Sequence, residues 1–401
     1  MLRPGHLVML IAACLLVLGV VMVHSASMDL SGETTLSGVL LSRPAALAVA
    51  AFACMLVGAC VPVERLGGGR GWSRPALWIL LAAAALVLAV YIPGVGREAN
   101  GARRWIQVGP LGFQPSEIAK WGLPIVIAAY AVANAARIRE FLRGFAAPLS
   151  IVAVLCAVIA VSDLGTAVLI MLVALAMLIA CGARLTWPLV AAPLIGAGIA
   201  LMVAVSPYRR NRILAYLDPF QDQAGIGYHI IQSMAALNGG GLAGRGLGNS
   251  VQKFGYLPES NTDFIFAIIG EELGVIGAAM VVLLYLGLAI AGFSVIRRSI
   301  RACPDAVFSR QLALGILMTV LLQAAINLSV VTGLAPTKGI ALPLVSHGGT
   351  GWLLTALSLG FLVSIDRASD RAEAKRALRT DDSPALDSPS LDSPGGVAPV
   401  A

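Results

Sequence analysis

The run Pro258-Glu259-Ser260-Asn261-Thr262-Asp263-Phe264-Ile265-Phe266-Ala267-Ile268-Ile269-Gly270-Glu271-Glu272-Leu273-Gly274 carries a polar segment into an apolar one, with four carboxylates around the junction. Val275 to Ile296 then supplies a full membrane crossing, since about 20 apolar residues span a hydrocarbon core of about 30 Å. Thr262 or Asn261 is placed to cap a helix whose first turn holds Asp263. Asp263 to Gly274 adds about three turns beyond what crossing requires. That surplus sets Asp263 at a membrane face or in a wet cavity, where a carboxylate can stay ionised.

Hydrophobic residues make up 58% of the 401 and charged ones 12%, with a mean hydropathy of +0.86. This balance excludes a soluble domain and predicts an all-α polytopic membrane protein. The net charge of +7 has no soluble basic domain to carry it, so no nucleic-acid interface is expected. The six cysteines show no Cys-x-x-Cys or Cys/His metal spacing and read as small buried hydrophobes. Ser25-Ala26-Ser27 mimics a signal-peptidase site, but the apolar run before it is longer than a signal core, and it counts as a span.

About ten transmembrane helices follow from hydropathy: 7–25, 45–63, 75–93, 115–135, 146–162, 165–182, 186–205, 264–296, 311–332 and 350–365. One alternate set of connections carries 17 Lys and Arg, the other 10. The denser set faces inward, so both termini are cytoplasmic. Nine of the ten outer cations fall in three segments, 94–114, 206–262 and 333–349. A bare connector does not need them there, whereas a site for an anionic headgroup does.

Each outer segment has its own character. Asn100-Gly101 marks a turn. Glu117 and Lys120 stand three apart on one helix face, and either pair with each other or line a cavity. Asp163 either caps the following span or faces that cavity. The one large extracytoplasmic loop, 206–262, holds an amphipathic piece from Tyr208 to Leu217, a second short helix from Tyr228 to Leu237, and six glycines between Gly239 and Gly248. Those glycines either bring backbone N–H groups to a ligand phosphate or form a mobile turn. Residues 333–349, too short to span and flanked by Pro and Gly, read as a re-entrant loop. His347 reads as a structural residue more readily than as a proton carrier. The membrane domain thus covers 1–366. Residues 367–401 read as a cytoplasmic basic helix and a disordered tail with Asp-Ser-Pro recurring every five residues.

Several of these stretches together resemble the SEDS family of bacterial polytopic proteins (shape, elongation, division and sporulation). They include Asn100-Gly101-Ala102-Arg103-Arg104-Trp105, Phe113-Gln114-Pro115-Ser116-Glu117 with Lys120, and Asp163-Leu164-Gly165-Thr166-Ala167. Gly246-Leu247-Gly248-Asn249-Ser250 with Gln252-Lys253, Thr262-Asp263-Phe264-Ile265-Phe266 and Gly270-Glu271-Glu272-Leu273-Gly274 continue the series. Pro336-Thr337-Lys338-Gly339 with Pro343-Leu344 and Ser346 ends it. The set runs in family order from 93 to about 365. Pro336-Thr337-Lys338-Gly339 looks like the division and sporulation branches rather than the elongation branch. Asn261 stands where the family usually has His, Ser162 where Pro is common, and His347-Gly348-Gly349-Thr350 where a Tyr-Gly-Gly-Ser pattern is common.

The resemblance implies a peptidoglycan glycosyltransferase of the plasma (inner) membrane that polymerises lipid II into glycan strands on its outer face during septal wall synthesis. It also implies work with a class B penicillin-binding protein and other divisome proteins. The family's catalytic acid falls on Asp263. A sugar hydroxyl attacks well only when a positioned base takes its proton, and a departing pyrophosphate needs cations. Asp263 is therefore expected as the base, or as a ligand for Mg²⁺ or Mn²⁺ against the pyrophosphate. No other cofactor is expected. Arg103, Arg104, Arg209, Arg212, Lys253 and Lys338 are candidate pyrophosphate contacts, with Glu117, Lys120 and Ser346 as further substrate-binding residues. Glu271 and Glu272, about two turns deeper, are read as structural or partner-facing. A lipid II flippase would use the same outer cations but needs inward-facing charges within the spans, of which there are few. A non-enzymatic divisome scaffold would not need Asp263.

Overall fold

The structure is a computed structural model and describes residues 3–27, 36–69, 74–99, 102–108, 111–223, 225 and 227–381. Apart from two short helical turns at Leu36–Leu40 and Glu64–Gly67, the helices are α1 (Pro4–Ala26), α2 (Arg43–Cys60), α3 (Pro75–Ala89), α4 (Pro115–Ala133), α5 (Ala147–Ser162, entered through a π turn at Phe141–Ala146) and α6 (Leu164–Ala180). They continue with α7 (Thr186–Ala204), α8 (Pro207–Leu217), α9 (Tyr228–Gly239), α10 (Ile265–Ala302), α11 (Val307–Val331) and α12 (Gly349–Asp381). Eight of the apolar helices are long enough to cross a membrane, while α3 and α6 are apolar but shorter, at 15 and 17 residues. Among the described residues, eight of the ten expected spans thus fall on helices long enough to cross, and the other two fall on these shorter helices. The last span and the basic helix expected after it form one continuous helix, and the Asp-Ser-Pro tail lies outside the described residues.

Segment 94–114 is more ordered than a turn. Strands β1 (Gly96–Ala99), β2 (Ala102–Val108) and β3 (Leu111–Phe113) form an antiparallel sheet in the order β1-β2-β3, with Arg97 opposite Trp105 and Ile106 opposite Phe113. The turn expected at Asn100-Gly101 lies outside the described residues. This small sheet is an addition to an otherwise helical fold.

Small residues let the spans approach closely. A β-carbon on Gly58 of α2 would run into the Leu357 carbonyl of α12, and one on Gly360 into the Met55 carbonyl. Backbone contact of this kind is a main source of helix association in lipid, where burying apolar surface gains little. At one end of the bundle the beginning of the described chain meets its end, with Arg3 Nη1 2.5 Å from Asp370 Oδ2. There Asp366 also accepts the Gly5 amide at 3.0 Å and lies 3.4 Å from Arg298.

The helix after the quoted stretch departs from expectation in two ways. It begins at Ile265 with no side-chain cap, so Asp263 sits in the turn before it rather than in its first turn. It also breaks at Gly274, where φ is +66° and ψ −164°. Around this break the carbonyls of Glu271 and Glu272 accept the amides of Arg245 and Gly246, and the amides of Val275 and Ile276 donate to Gly241 and Leu242. The glycine-rich run thus commits amides and carbonyls to the helix itself. It fills the gap in the helix, supplying the hydrogen bonds an unwound backbone needs at that depth.

Candidate functional site

Polar groups from eight segments converge on one cavity of about 480 Å³. Asp263 enters from the turn before α10, Arg104 from β2, Glu117 and Lys120 from the start of α4, and Asp163 from the α5–α6 junction. Arg212 comes from α8, His229 from α9, Gln323 from α11, and Lys338 from the segment after α11. That segment, expected as a re-entrant loop, stays non-helical yet buries Leu342, Leu344 and Val345. The Ser346 hydroxyl accepts the Leu342 amide (2.7 Å), Trp352 donates to the Ser346 carbonyl (2.5 Å), and Tyr285 donates to the Pro343 carbonyl (2.5 Å). Ser346 therefore shapes the cavity wall with an oxygen already engaged.

The expected cations divide cleanly. Arg103 and Arg104 are neighbours on a strand, so they point to opposite faces. Arg104 enters the cavity, where its Nε is buried with no partner. Arg103 faces solvent near Glu98, at 3.9 Å, and is not a lining residue of this cavity. Arg209 is also absent from it. Its guanidinium donates to the carbonyls of Ala160 (2.6 Å), Val161 (2.8 Å) and Met202 (3.3 Å), tying the end of α7 to the end of α5. Lys253 is fully enclosed elsewhere. Its ammonium donates to the carbonyls of Gly248 (2.7 Å) and Ser25 (3.1 Å) and lies 3.4 Å from Glu272 Oε1. Arg209 and Lys253 are thus already engaged by the protein's own acceptors, while strand alternation turns Arg103 away from the cavity.

Arg212 stays in the cavity, donating to the Thr337 carbonyl at 3.1 Å and resting over the Tyr208 ring at 4.6 Å. Glu117 and Lys120 both pair and line it: Lys120 Nζ reaches Glu117 Oε1 at 2.6 Å and Gln323 Oε1 at 2.8 Å, leaving Glu117 Oε2 buried without a partner. Asp163 likewise fills both expected roles, accepting the Thr166 amide at 3.0 Å and the Thr166 hydroxyl at 2.7 Å. Glu271 and Glu272 are structural, as expected. Glu271 meets Ser250 (2.5 Å) and Arg245 (3.0 Å), while Glu272 accepts the Ser25 hydroxyl at 2.6 Å.

Among the described residues the carboxylate of Asp263 has no hydrogen-bond or ion-pair partner, and neither does the ammonium of Lys338. Burial pushes the Asp263 carboxyl up to about 7, helped by Glu259 and Asp163 and opposed by Arg212 and Arg104. Burial also lowers Lys338, with Asp163 opposing and Arg209 and Arg212 assisting. Both shifts come from removing charge from water, and an anion placed between the cations would relieve the lysine. His229, stacked on Phe264 at 5.9 Å, is lowered by burial and by Arg212. His347 donates its amide to the Asn261 carbonyl (2.9 Å), and burial lowers its imidazole.

His229, Gln323 and Asn327 went unnoticed in the sequence. The signal for the last two was present, since two amides four apart in an apolar span face one side of a helix and are costly there without partners. His229 had no comparable signal.

A family model described as a cell cycle protein, FtsW/RodA/SpoVE, matches residues 5–371. The chain is 37% identical over 384 residues, 93% of each chain, to a probable peptidoglycan glycosyltransferase FtsW of Marinobacter nauticus. It superposes with a TM-score of 0.71 and 28% identity on a chain from "Structural coordination of polymerization and crosslinking by a peptidoglycan synthase complex", covering 90% of this chain and 97% of that one. It also superposes on the rod shape determining protein RodA of Thermus thermophilus, with a TM-score of 0.64, 25% identity, and 90% and 96% coverage. With the motifs in order, the cavity assembled from them and a match across nearly the whole membrane domain, the chain belongs to the FtsW/RodA/SpoVE family.

Proposed function

We propose that this multi-pass membrane protein is a peptidoglycan glycosyltransferase that polymerises lipid II at the cavity around Asp263. The observation that carries this reading is one cavity into which, among the described residues, the carboxylate of Asp263, Nε of Arg104 and the ammonium of Lys338 all point without a partner. A hydroxyl of the acceptor sugar attacks the anomeric carbon of the donor, and its proton passes to Asp263. The bond from that carbon to the pyrophosphate oxygen breaks with inversion, and the undecaprenyl pyrophosphate leaves with the bonding electron pair. Arg104, Lys338 and Arg212 stabilise the charge that grows on the leaving group. A base of this kind contributes about 10² to 10⁴ in rate.

A divalent cation fits the same place only as an ion shared with the substrate. Among the described residues no group of three His, Cys, Asp or Glu side chains could hold a metal, whereas one carboxylate together with substrate phosphates suits Mg²⁺. When bound there it would neutralise pyrophosphate charge, with Asp263 as its protein ligand. The family match and the likeness to a chain of a peptidoglycan synthase complex support a class B penicillin-binding protein as partner and the inner membrane at the division septum as the place of work.

The test uses purified protein and lipid II. Asp263→Ala should bind lipid II and make no polymer, while the unaltered protein makes glycan strands. Polymer from the variant would remove the base assignment. Transport without polymer by the unaltered protein would favour a flippase, and neither activity a scaffold.

A further inference from the structure

The carboxylate of Asp263 has no partner to hold it, yet its backbone is fastened. Asn327, 1% exposed on α11, donates through Nδ2 to the Asp263 carbonyl at 2.8 Å and to the Ile340 carbonyl at 2.7 Å. Both partners can only accept, so the orientation of the amide is forced. One turn earlier on the same face, Gln323 donates to the Ala341 carbonyl at 2.7 Å and accepts from Lys120 at 2.8 Å. Ile340 lies two residues beyond Lys338. The two halves of the site, the turn carrying the acid and the loop carrying a cation, are thus joined through this buried side chain, in addition to the His347 amide on the Asn261 carbonyl further along the loop. No backbone hydrogen bond among the described residues links Asp263 itself to that loop.

We infer that Asn327 is a positioning residue for the glycosyl transfer. It fixes the separation of Asp263 from the Lys338 loop, with Gln323 extending the brace to Lys120 and Glu117. The inference rests on the functional reading above, and it adds that the acid and the pyrophosphate-binding loop are held as one body from a third helix. Two donors to two carbonyls are what that task requires. An apolar residue of similar size would fill the same space and hold neither strand. A buried site gains from such fixing because a misplacement of about 1 Å can cost about 10² in rate.

The test compares Asn327→Leu, close to asparagine in volume, and Asn327→Ala with the unaltered full-length chain in liposomes. Turnover is expressed per lipid II-binding site, so that loss of folded protein is divided out. The expected result is kcat down by about 10²-fold, KM little changed, and the acidic limb of the pH profile moved to lower pH. The limb moves because a loosened Asp263 takes up water and escapes Glu259 and Asp163, while Arg104 and Arg212 remain. A merely structural role would leave the limb in place. Unaltered kcat with an unaltered limb in either folded variant overturns the inference, as does failure of both variants to yield folded protein, which would assign Asn327 to folding. If the unaltered chain makes no polymer, the functional reading itself falls.

Discussion

A β-carbon placed on Gly339 would stand 3.1 Å from Oδ2 of Asp263 and 3.9 Å from Nη1 of Arg104. The glycine between Lys338 and Ile340 thus keeps open the space where an acid and a cation meet. Its φ is not in the left-handed region, so alanine strains no backbone there. Gly339→Ala should therefore melt near the unaltered protein yet polymerise lipid II roughly tenfold more slowly, since the carboxylate must give by a few tenths of an ångström. Gly339→Val should lose more. Normal turnover with valine would mean that no substrate atom passes between Asp263 and this loop.

The ionisation of Asp263 fixes the pH dependence. As the proposed base, Asp263 works only as a carboxylate, and burial, Glu259 and Asp163 push its carboxyl up to about 7. Polymerisation should fall as pH drops through about 7. Glu259→Gln should move that limb to lower pH by removing one repelling charge. The stability consequence has the opposite sense. A carboxyl whose folded value stands above its ordinary 3.8 favours the native state when protonated, and that contribution is lost as pH rises through about 7. Asp263→Asn should accordingly raise the melting temperature at pH 8 while abolishing polymer. A variant no more stable than the unaltered chain at that pH would show that the carboxylate is not strained by burial.

Much of this was legible in the sequence. Asp263 could be placed because a polar-to-apolar junction locates a membrane face, and Arg104, Arg212 and Lys338 because outer cations concentrate where an anion must be met. What sequence could not reveal is whether a cation is already engaged. Arg209 lies three residues from Arg212, but the carbonyls of Ala160 and Val161 claim it. Those acceptors exist only because α5 ends beside α8. The strand alternation that turns Arg103 outward and Arg104 inward was hidden in a short polar segment with no apolar face to mark it. The helix break was hidden too, since Gly274 reads as one more small residue until the loop that fills the gap is seen.

Lys253 gives the plainest contrast between a binding and a structural cation. It and Glu272 are closed off from solvent at 3.4 Å, so removing one partner strands the other's charge. Lys253→Met should cost about 3 to 5 kcal/mol, and Lys253→Met with Glu272→Gln should recover much of that. Melting curves in detergent for the two single variants and the double form the cycle. If Lys253 instead held pyrophosphate, Lys253→Met would raise KM without lowering the melting temperature. The double variant would then recover nothing.

Gly274 should tolerate no side chain without loss. Its φ of +66° with ψ of −164° is backbone that L side chains rarely adopt, and a β-carbon there would collide with the backbone of Leu242 and Gly244. The strain alone costs about 1 to 3 kcal/mol. The collision adds to it, because the glycine-rich run must withdraw and release the carbonyls of Glu271 and Glu272. Those two residues also anchor Ser250, Ser25 and Arg245 through their side chains, so the segment from Ile265 to Leu273 would lose its fixing on two sides. Asp263 stands at the far end of that segment. Gly274→Ala should thus lower the melting temperature and polymerisation together, whereas Gly339→Ala affects polymerisation alone. The comparison is made on both proteins in one detergent, by thermal unfolding and lipid II polymerisation. A Gly274→Ala protein that melts normally would mean that α10 can close its break without the loop.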